Sequence, residues 1–388
     1  MPRKTNSRNA QGAGSIHQRP DGRWEARYTT GRDPGTGKQV QRSVYGDTQS
    51  EVLKKLQQIS VEAENGNLIE PSKMTVAQWL DVWQNEYLGS VKHRTVHSYK
   101  GTIKGYIIPA LGAIKLQKLN PHNIQAFYND LQRVKNLSPK TIKNTHGVFH
   151  AALKQAIHIG YIKTNPADGA TLPRIEKPEL TVLPEESISA FLAAIKDDIY
   201  APIYYITLFT GMRQGEILGL SWDNIDFTNG TIYICRQLQR NHDNGSYLLA
   251  PIKNDKPRRI SPAPAVMNSL RKVKVTQAES KLKAGAAWVN PDNLVFTNEL
   301  GGNLIHKTVY AHFKKIADKI NMPGLRFHDL RHSYAVNALQ SGDDIKTVQD
   351  SLGHHTAAFT LDVYGFVTDK MRQDSAQRME QFIKQFNA

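Results

Sequence analysis

The chain has 388 residues, enough for two or three domains that each bury a core. Its 50 Lys and Arg against 35 Asp and Glu leave a formal charge of +15, which favours a polyanionic partner because each cation placed on a phosphate releases counterions. The one cysteine, Cys235, excludes an intrachain disulfide framework and zinc sites built on cysteine pairs; no apolar run reaches the roughly 18 residues of a membrane span, and no apolar leader is present, so the expectation is a cytoplasmic protein.

Residues 1–12 read as a basic leader. From residue 14 onward, short β-prone runs at 15–18, 24–30 and 39–45 alternate with turn signals at Asp21-Gly22 and 33–37. A helix follows over 48–64, with Val52, Leu56 and Ile59 at helical spacing and Thr48 placed to cap it. The first fifty residues carry nine Lys/Arg against four acids. Arg23, Glu25, Arg27 and Tyr28 lie around Trp24 on one strand, which makes a basic and aromatic sheet face able to enter a DNA groove; a solvated face beside a core Trp is the plainer alternative.

Residues 65–73 form a linker by composition. The segment 74–165 is helical. Thr75 caps a helix with Val76, Trp79, Leu80, Trp83 and Tyr87 on one stripe, and a second helix spans 94–107 and stops before Pro109. Two more start at Asn120-Pro121 and Ser138-Pro139, completing a compact bundle. Twelve Lys/Arg stand here against Asp81, Glu86 and Asp130. They gather where helices begin: Lys92, Arg94, Lys100 and Lys104 in the second, and Lys135, Lys140 and Lys143 at the fourth, a placement that suits phosphate contacts.

A second, Pro-rich linker spans 164–181 and is expected to be extended, letting two domains close around a duplex. The remainder is mixed: helices near 184–196 and 199–210, a hairpin signalled by Asn229-Gly230, β-prone runs around 247–253 and 257–261, then helices to the end. Cys235, in the apolar run TIYIC, reads as a small core residue. The fold class expected is α+β and multidomain: a three-stranded sheet with a helix at 1–66, an all-α bundle at 74–165, and a mainly-α domain with a small sheet at 178–388.

The last of these carries the chemistry. In TGMRQGEILGL, Arg213 follows an apolar helix, and Glu216 stands three residues on to hold its guanidinium. In LRFHDLRHSY, His328 and Arg331 share a helix face. In SLGHHTAAFTLDVYGF, Gly353 ends a helix ahead of His354, and Tyr364 follows. On chemistry alone His355 equals His354, Tyr334 equals Tyr364, and Lys256, Arg258 and Arg259 compete with Lys253. Taken singly, each feature has a plainer explanation as a surface ion pair or a core histidine. Two guanidiniums, two imidazoles and a phenol in one domain-sized segment point to an anionic, tetrahedral substrate.

The order of TGMRQGEILGL, HDLRHSYA, LGHHT and TLDVYG resembles the tyrosine recombinases, in particular the integrases of conjugative transposons and temperate phages of Gram-positive bacteria, and the resemblance spans essentially the whole chain. It implies an arm-type DNA-binding domain, a core-binding domain and a catalytic domain. It assigns catalysis to Arg213, Lys253, His328, Arg331, His354 and Tyr364, with Glu216 supporting. Tyr364 would attack the scissile phosphorus and form a 3′-phosphotyrosyl link with a free 5′-hydroxyl. His328 would accept the phenol proton, Arg213, Arg331 and His354 would stabilise the transition state, and Lys253 would protonate the leaving oxygen.

The implied partners are double-stranded DNA, a homo-tetramer on that DNA and an excisionase-type accessory protein; no cofactor and no metal are expected. The helix at 369–386 would dock on a neighbouring protomer. Three rivals remain at this level: a type IB topoisomerase-like nicking-closing enzyme, a non-catalytic DNA-binding regulator, and a metal-dependent nuclease built on His328, His332, His354 and His355.

Overall fold

The computed structural model describes residues 15–32, 36–64, 73–176, 180–241, 244–252, 256–354, 356–364 and 369–386. The leader 1–12, Lys253 and His355 lie outside them. The chain divides into two compact units, Met1–Glu176 and Lys177–Ala388.

The first unit holds two separate hydrophobic cores. In the smaller, strands β1 (Ser15–Gln18), β2 (Trp24–Arg32) and β3 (Gln39–Gly46) form an antiparallel sheet in that order, backed by helix α1 (Gln49–Glu64). Strand periodicity sorts β2 cleanly. Trp24, Ala26 and Tyr28 join Val52 and Leu56 of α1 in the core, whereas Arg23, Glu25 and Arg27 alternate with them. The expected basic and aromatic face is therefore corrected: the two aromatics belong to the packed side. Glu25 is buried among polar groups instead, accepting from Arg27 Nε at 2.9 Å and Ser43 Oγ at 2.6 Å, with Arg19 at 3.7 Å.

The larger core belongs to four helical segments. Helix α2 (Val76–Glu86) starts from a reciprocal cap between Thr75 and Gln78, and buries Trp79, Leu80 and Trp83. Helix α3 (His93–Thr102) runs into a π-turn at Ile103–Ile107 and then α4 (Ile108–Leu111). The helical path thus continues past Pro109, where the sequence places its end. A proline inside a helix lacks an N–H and crowds the carbonyl four residues back; widening the preceding turn, so that Ile108 N–H bonds Ile103 O, relieves that crowding. Helices α5 (Pro121–Arg133) and α6 (Pro139–His158) start at Asn120 and Ser138 caps, with Pro at the first helical position. Ile124, Phe127, Ile142, Phe149 and Leu153 close the core.

The second unit packs helices α7 (Glu185–Ile195), α8 (Ala201–Thr210), α10 (Pro264–Ala284), α11 (His306–Lys319) and α12 (Phe327–Gln340) around one core. Tyr204, Phe313 and Phe327 meet edge to face at its centre. One small sheet has the order β4 (Ile225–Asp226), β5 (Thr231–Ile234), β8 (Arg258–Ile260), and a separate ribbon pairs β6 (Arg236–Arg240) with β7 (Tyr247–Pro251). Cys235 falls between β5 and β6 and is half-buried, its Sγ 3.8 Å from Asn224 Oδ1, rather than a core residue. Short helices α9 (Gln214–Leu218), α13 (Ile345–Leu352) and α14 (Ala357–Tyr364) carry the remaining motifs, and α15 (Asp369–Lys384) ends the fold. Among the described residues no helix is long and apolar enough to cross a membrane.

Candidate active site

Four motifs separated by some 150 residues of sequence converge through buried arginines. Helix α8 ends at Gly211, whose φ of +66° is open to glycine at little cost, and the chain turns there to start α9 at Arg213. A Cβ on Gly211 would also come within 2.5 Å of the Tyr334 ring. The Tyr334 ring thus packs close against the turn that presents Arg213. Arg331, 1% exposed, donates from one guanidinium nitrogen to Gly211 O at 2.7 Å and from another to Leu352 O at 2.5 Å. One side chain on α12 therefore fixes both the Arg213 turn and the end of α13, and its remaining N–H donors are available to an anion.

Glu216 is the electrostatic centre of this arrangement. Its carboxylate accepts from Arg213 Nη1 at 2.6 Å and the Arg213 backbone N–H at 2.9 Å, and bidentately from Arg258 at 3.1 and 2.7 Å. Burial alone would raise its pKa; the hydrogen bonds and charge of Arg258, then the charge of Arg213, overcome that and hold the carboxyl at about 2. Arg258 Nε also donates to Ser351 O at 2.7 Å. From sequence Arg258 is only a rival of Lys253; in the structure it is a buried clasp joining β8, α9 and α13. Lys256, two residues before β8, is exposed.

Helix α13 ends at Gly353, again left-handed at φ +63°, so that His354 turns back toward α14. His354 Nδ1 lies 3.0 Å from the buried hydroxyl of Thr360, which sets the ring plane. Tyr364, the last residue of α14 and 2% exposed, stacks parallel to the His354 ring with centroids 6.0 Å apart. Its Oη lies 2.7 Å from Nδ1 of His332, a residue that enters the sequence reading only as a metal ligand. His328, one turn before His332, stands edge-on to it at 4.8 Å. The face of α12 bearing His328, Arg331 and His332 is thus turned to the phenol and the arginines together.

The site is desolvated and cationic. Burial, then neighbouring histidine and arginine charges, bring His328 to about 4, and burial with Arg331 and Arg213 brings His354 to about 3. Burial lowers His332 as well, with Asp329 opposing. Burial raises the Tyr364 phenol, and Arg331 and Arg213 partly counter it. At neutral pH the three imidazoles are uncharged, each with one N–H donor and one lone pair, facing a protonated phenol beside two permanent cations.

The residues expected to contact DNA fall into two groups. Arg23 and Arg27 are both exposed, but each pairs with a carboxylate, Asp21 at 3.0 Å and Glu25 at 2.9 Å. Lys92, Arg94, Lys140 and Lys143 are exposed around the starts of α3 and α6, two helices that pack against each other; Lys100 is exposed too, but the structure places it in the last turn of α3 rather than at its start.

Two family models match the chain: Phage integrase family over 181–371 and Phage integrase, N-terminal SAM-like domain over 75–132, together more than half of its length. A tyrosine recombinase XerC-like protein of Caldanaerobacter subterraneus subsp. tengcongensis is 28% identical over 374 residues, spanning 90% of this chain and 94% of that one. Among solved structures, the Tn1549 transposon integrase in complex with transposon right end DNA has a TM-score of 0.67 at 23% identity, covering 79% of this chain and 100% of that one. A lambda integrase tetramer bound to a Holliday junction gives 0.54 at 19%, covering 93% and 99%. The fold and these matches define the class as an enzyme that breaks and rejoins DNA. The chain belongs to the phage integrase family of tyrosine recombinases and is a site-specific recombinase of mobile elements.

Proposed function

We propose that Tyr364 is the nucleophile and that Arg213, His328, Arg331 and His354 form the cage for the scissile phosphate, with Glu216 holding the first arginine in place. The observation that carries this reading is the gathering of four distant motifs around one buried phenol, with Arg331 bonded to the carbonyls of Gly211 and Leu352. Fixed guanidiniums aimed at the non-bridging oxygens stabilise charge as it develops without reorganisation. Neutral His328 and His354 each have an N–H to add. Lys253, beyond the described residues, or Lys256 three residues on, supplies the proton to the departing 5′-oxygen. The phosphotyrosyl bond keeps the free energy of the phosphodiester, so a 5′-hydroxyl from another strand reseals it.

The reading extends to the whole chain. Residues 1–66 act as an arm-type DNA-binding domain through Arg23 and Arg27, 74–165 as a core-binding domain through Lys92, Arg94, Lys100, Lys140 and Lys143, and 178–388 as the catalytic domain. The protein works at the bacterial nucleoid as a homo-tetramer on the element's ends and target, with an excisionase-type protein as accessory. The likeness to transposon and lambda integrases bound to such DNA supports this.

The test incubates wild type and Tyr364→Phe with labelled element-end DNA in EDTA, followed by denaturing gels. Wild type forms an SDS-resistant, protease-sensitive adduct and Tyr364→Phe forms none. An adduct that persists in the Phe variant moves the nucleophile elsewhere, with Tyr334 the next to examine.

A further inference from the structure

We infer that His332 is the general base of this active site, its Nδ1 taking the phenol proton of Tyr364 as that oxygen attacks phosphorus. The inference rests on Tyr364 being the nucleophile. His328 then serves the phosphate rather than the phenol.

Geometry comes first. The 2.7 Å bond to His332 is the hydrogen bond Tyr364 Oη makes among the described residues, and it is short enough for direct transfer. His354 lies parallel to the phenol ring, so its imidazole flanks the face of Tyr364 rather than meeting Oη end-on. Tyr364 is thereby held between two histidines with different jobs, one against its ring and one at its oxygen.

The surrounding charges divide the imidazoles in the same way. After burial, the strongest influences on His328 are other positive or potentially positive groups, His332, Arg331 and Arg213, and the carboxylate of Asp329 comes last. Such a residue resists a second proton and serves better as a neutral donor to an anion. Around His332 the leading charge is Asp329, ahead of Arg326 and Arg331, and it favours an added proton. The other groups facing it are His328 at 4.8 Å on the same helix and Tyr364 on α14. Asp329 is completely buried and is fixed by the backbone N–H and guanidinium of Arg326, so its carboxyl group has a set position in the site.

The step balances as follows. The Oη–P bond forms while the P–O5′ bond breaks; the phenol proton passes to His332 Nδ1, and the electron pair of the broken bond goes to the 5′-oxygen, which takes its proton from the lysine proposed as general acid. On rejoining, the attacking 5′-hydroxyl gives up its proton to that lysine, and His332 returns its own to Oη.

Single-turnover cleavage of a nicked element-end duplex tests this, using the full chain with either oxygen or sulfur bridging the scissile phosphate to the 5′-carbon. Sulfur leaves without a general acid, so it rescues a lost acid and not a lost base. His332→Asn keeps a hydrogen-bonding atom near the Nδ1 position but cannot take the proton. It is expected to cleave the oxygen substrate about 100-fold slower than wild type, in the range of a lost general base. The same deficit should persist with sulfur, and the rate should climb about tenfold per pH unit above 7 while wild type stays flat.

His332→Gln and equal DNA binding in a gel shift guard against misfolding: a folded Gln variant should share the deficit. His328→Asn should be slow with a flat profile. Wild-type rates in folded His332→Asn, full rescue by sulfur, or a pH-dependent profile in His328→Asn in place of His332→Asn would each overturn the assignment. Absence of any wild-type adduct would instead sink the underlying reading of Tyr364.

Discussion

At the scale of single residues, Glu216 is where stability and catalysis meet. Its carboxylate is shared by two guanidiniums, and its partner Arg258 has a side chain only 4% exposed. Glu216→Gln removes the charge and leaves Arg258 buried without a counterion, a change worth about 3–5 kcal/mol in buried pairs. For a unit of about 200 residues that corresponds to a fall in melting temperature of about 10 °C, measurable by calorimetry. The pH dependence follows from the sign of the shift. A folded value near 2, below the ordinary carboxylate value, contributes stability that is fully present above about pH 4.5 and is lost as pH falls toward 2. The gap in melting temperature between wild type and Glu216→Gln should therefore be widest at pH 6–7 and close as the pH approaches 2. A gap that stays constant with pH would mean that Glu216 acts through shape rather than charge.

At the scale of elements, the two glycine-terminated helices aim the site, and they show which parts of the fold were legible. Gly211 and Gly353 are readable as helix ends because each follows a helical run, apolar before Gly211 and amphipathic before Gly353, and stands shortly before a charged or imidazole residue. Thr75, Asn120 and Ser138 are equally readable as starts, since a short polar side chain ahead of an amphipathic run has one common use. The π-turn before Pro109 was not readable, because whether a proline ends a helix or bends it is decided by packing around Ile103 and Ile107. Nor was Arg258, one of three cations in a basic stretch, whose role depends on a carboxylate 42 residues away. His332 was hidden in plain view: HxxRH places it on the site face, but only the fold shows which histidine meets the phenol.

The turn itself is testable. Gly211→Ala must adopt a left-handed conformation, costing about 1–2 kcal/mol, and must displace the Tyr334 ring. Because Gly211 O anchors Arg331, cleavage should fall at least tenfold while gel-shift affinity, which we assign largely to the basic residues of the other unit, changes little. A parallel loss of DNA binding would show that the turn supports the whole fold rather than the site.

At the scale of the molecule, the last helix is unfinished as part of a monomer. Met379, Phe382 and Ile383 of α15 are each about half exposed, and Phe386 just beyond it is 72% exposed, an apolar cluster that a free-standing chain has every reason to bury. Tyr364, the proposed nucleophile, sits at the end of the preceding helix, only a few residues away in sequence. A second copy of the chain is the proposed partner, since exchange of strands between two duplexes needs several active sites held in register, whereas cleavage of one strand needs a single phenol. Truncation after residue 368 separates those requirements. Adduct formation on a single element end should persist within about tenfold of the full chain, because among the described residues none of the site's hydrogen bonds involves α15. Strand exchange between two duplexes should fall by 100-fold or more, with loss of the slowest-migrating protein–DNA complex in native gels. Full-rate exchange by the truncated chain would remove α15 from assembly; loss of cleavage and exchange together would make it part of the active site's own scaffold.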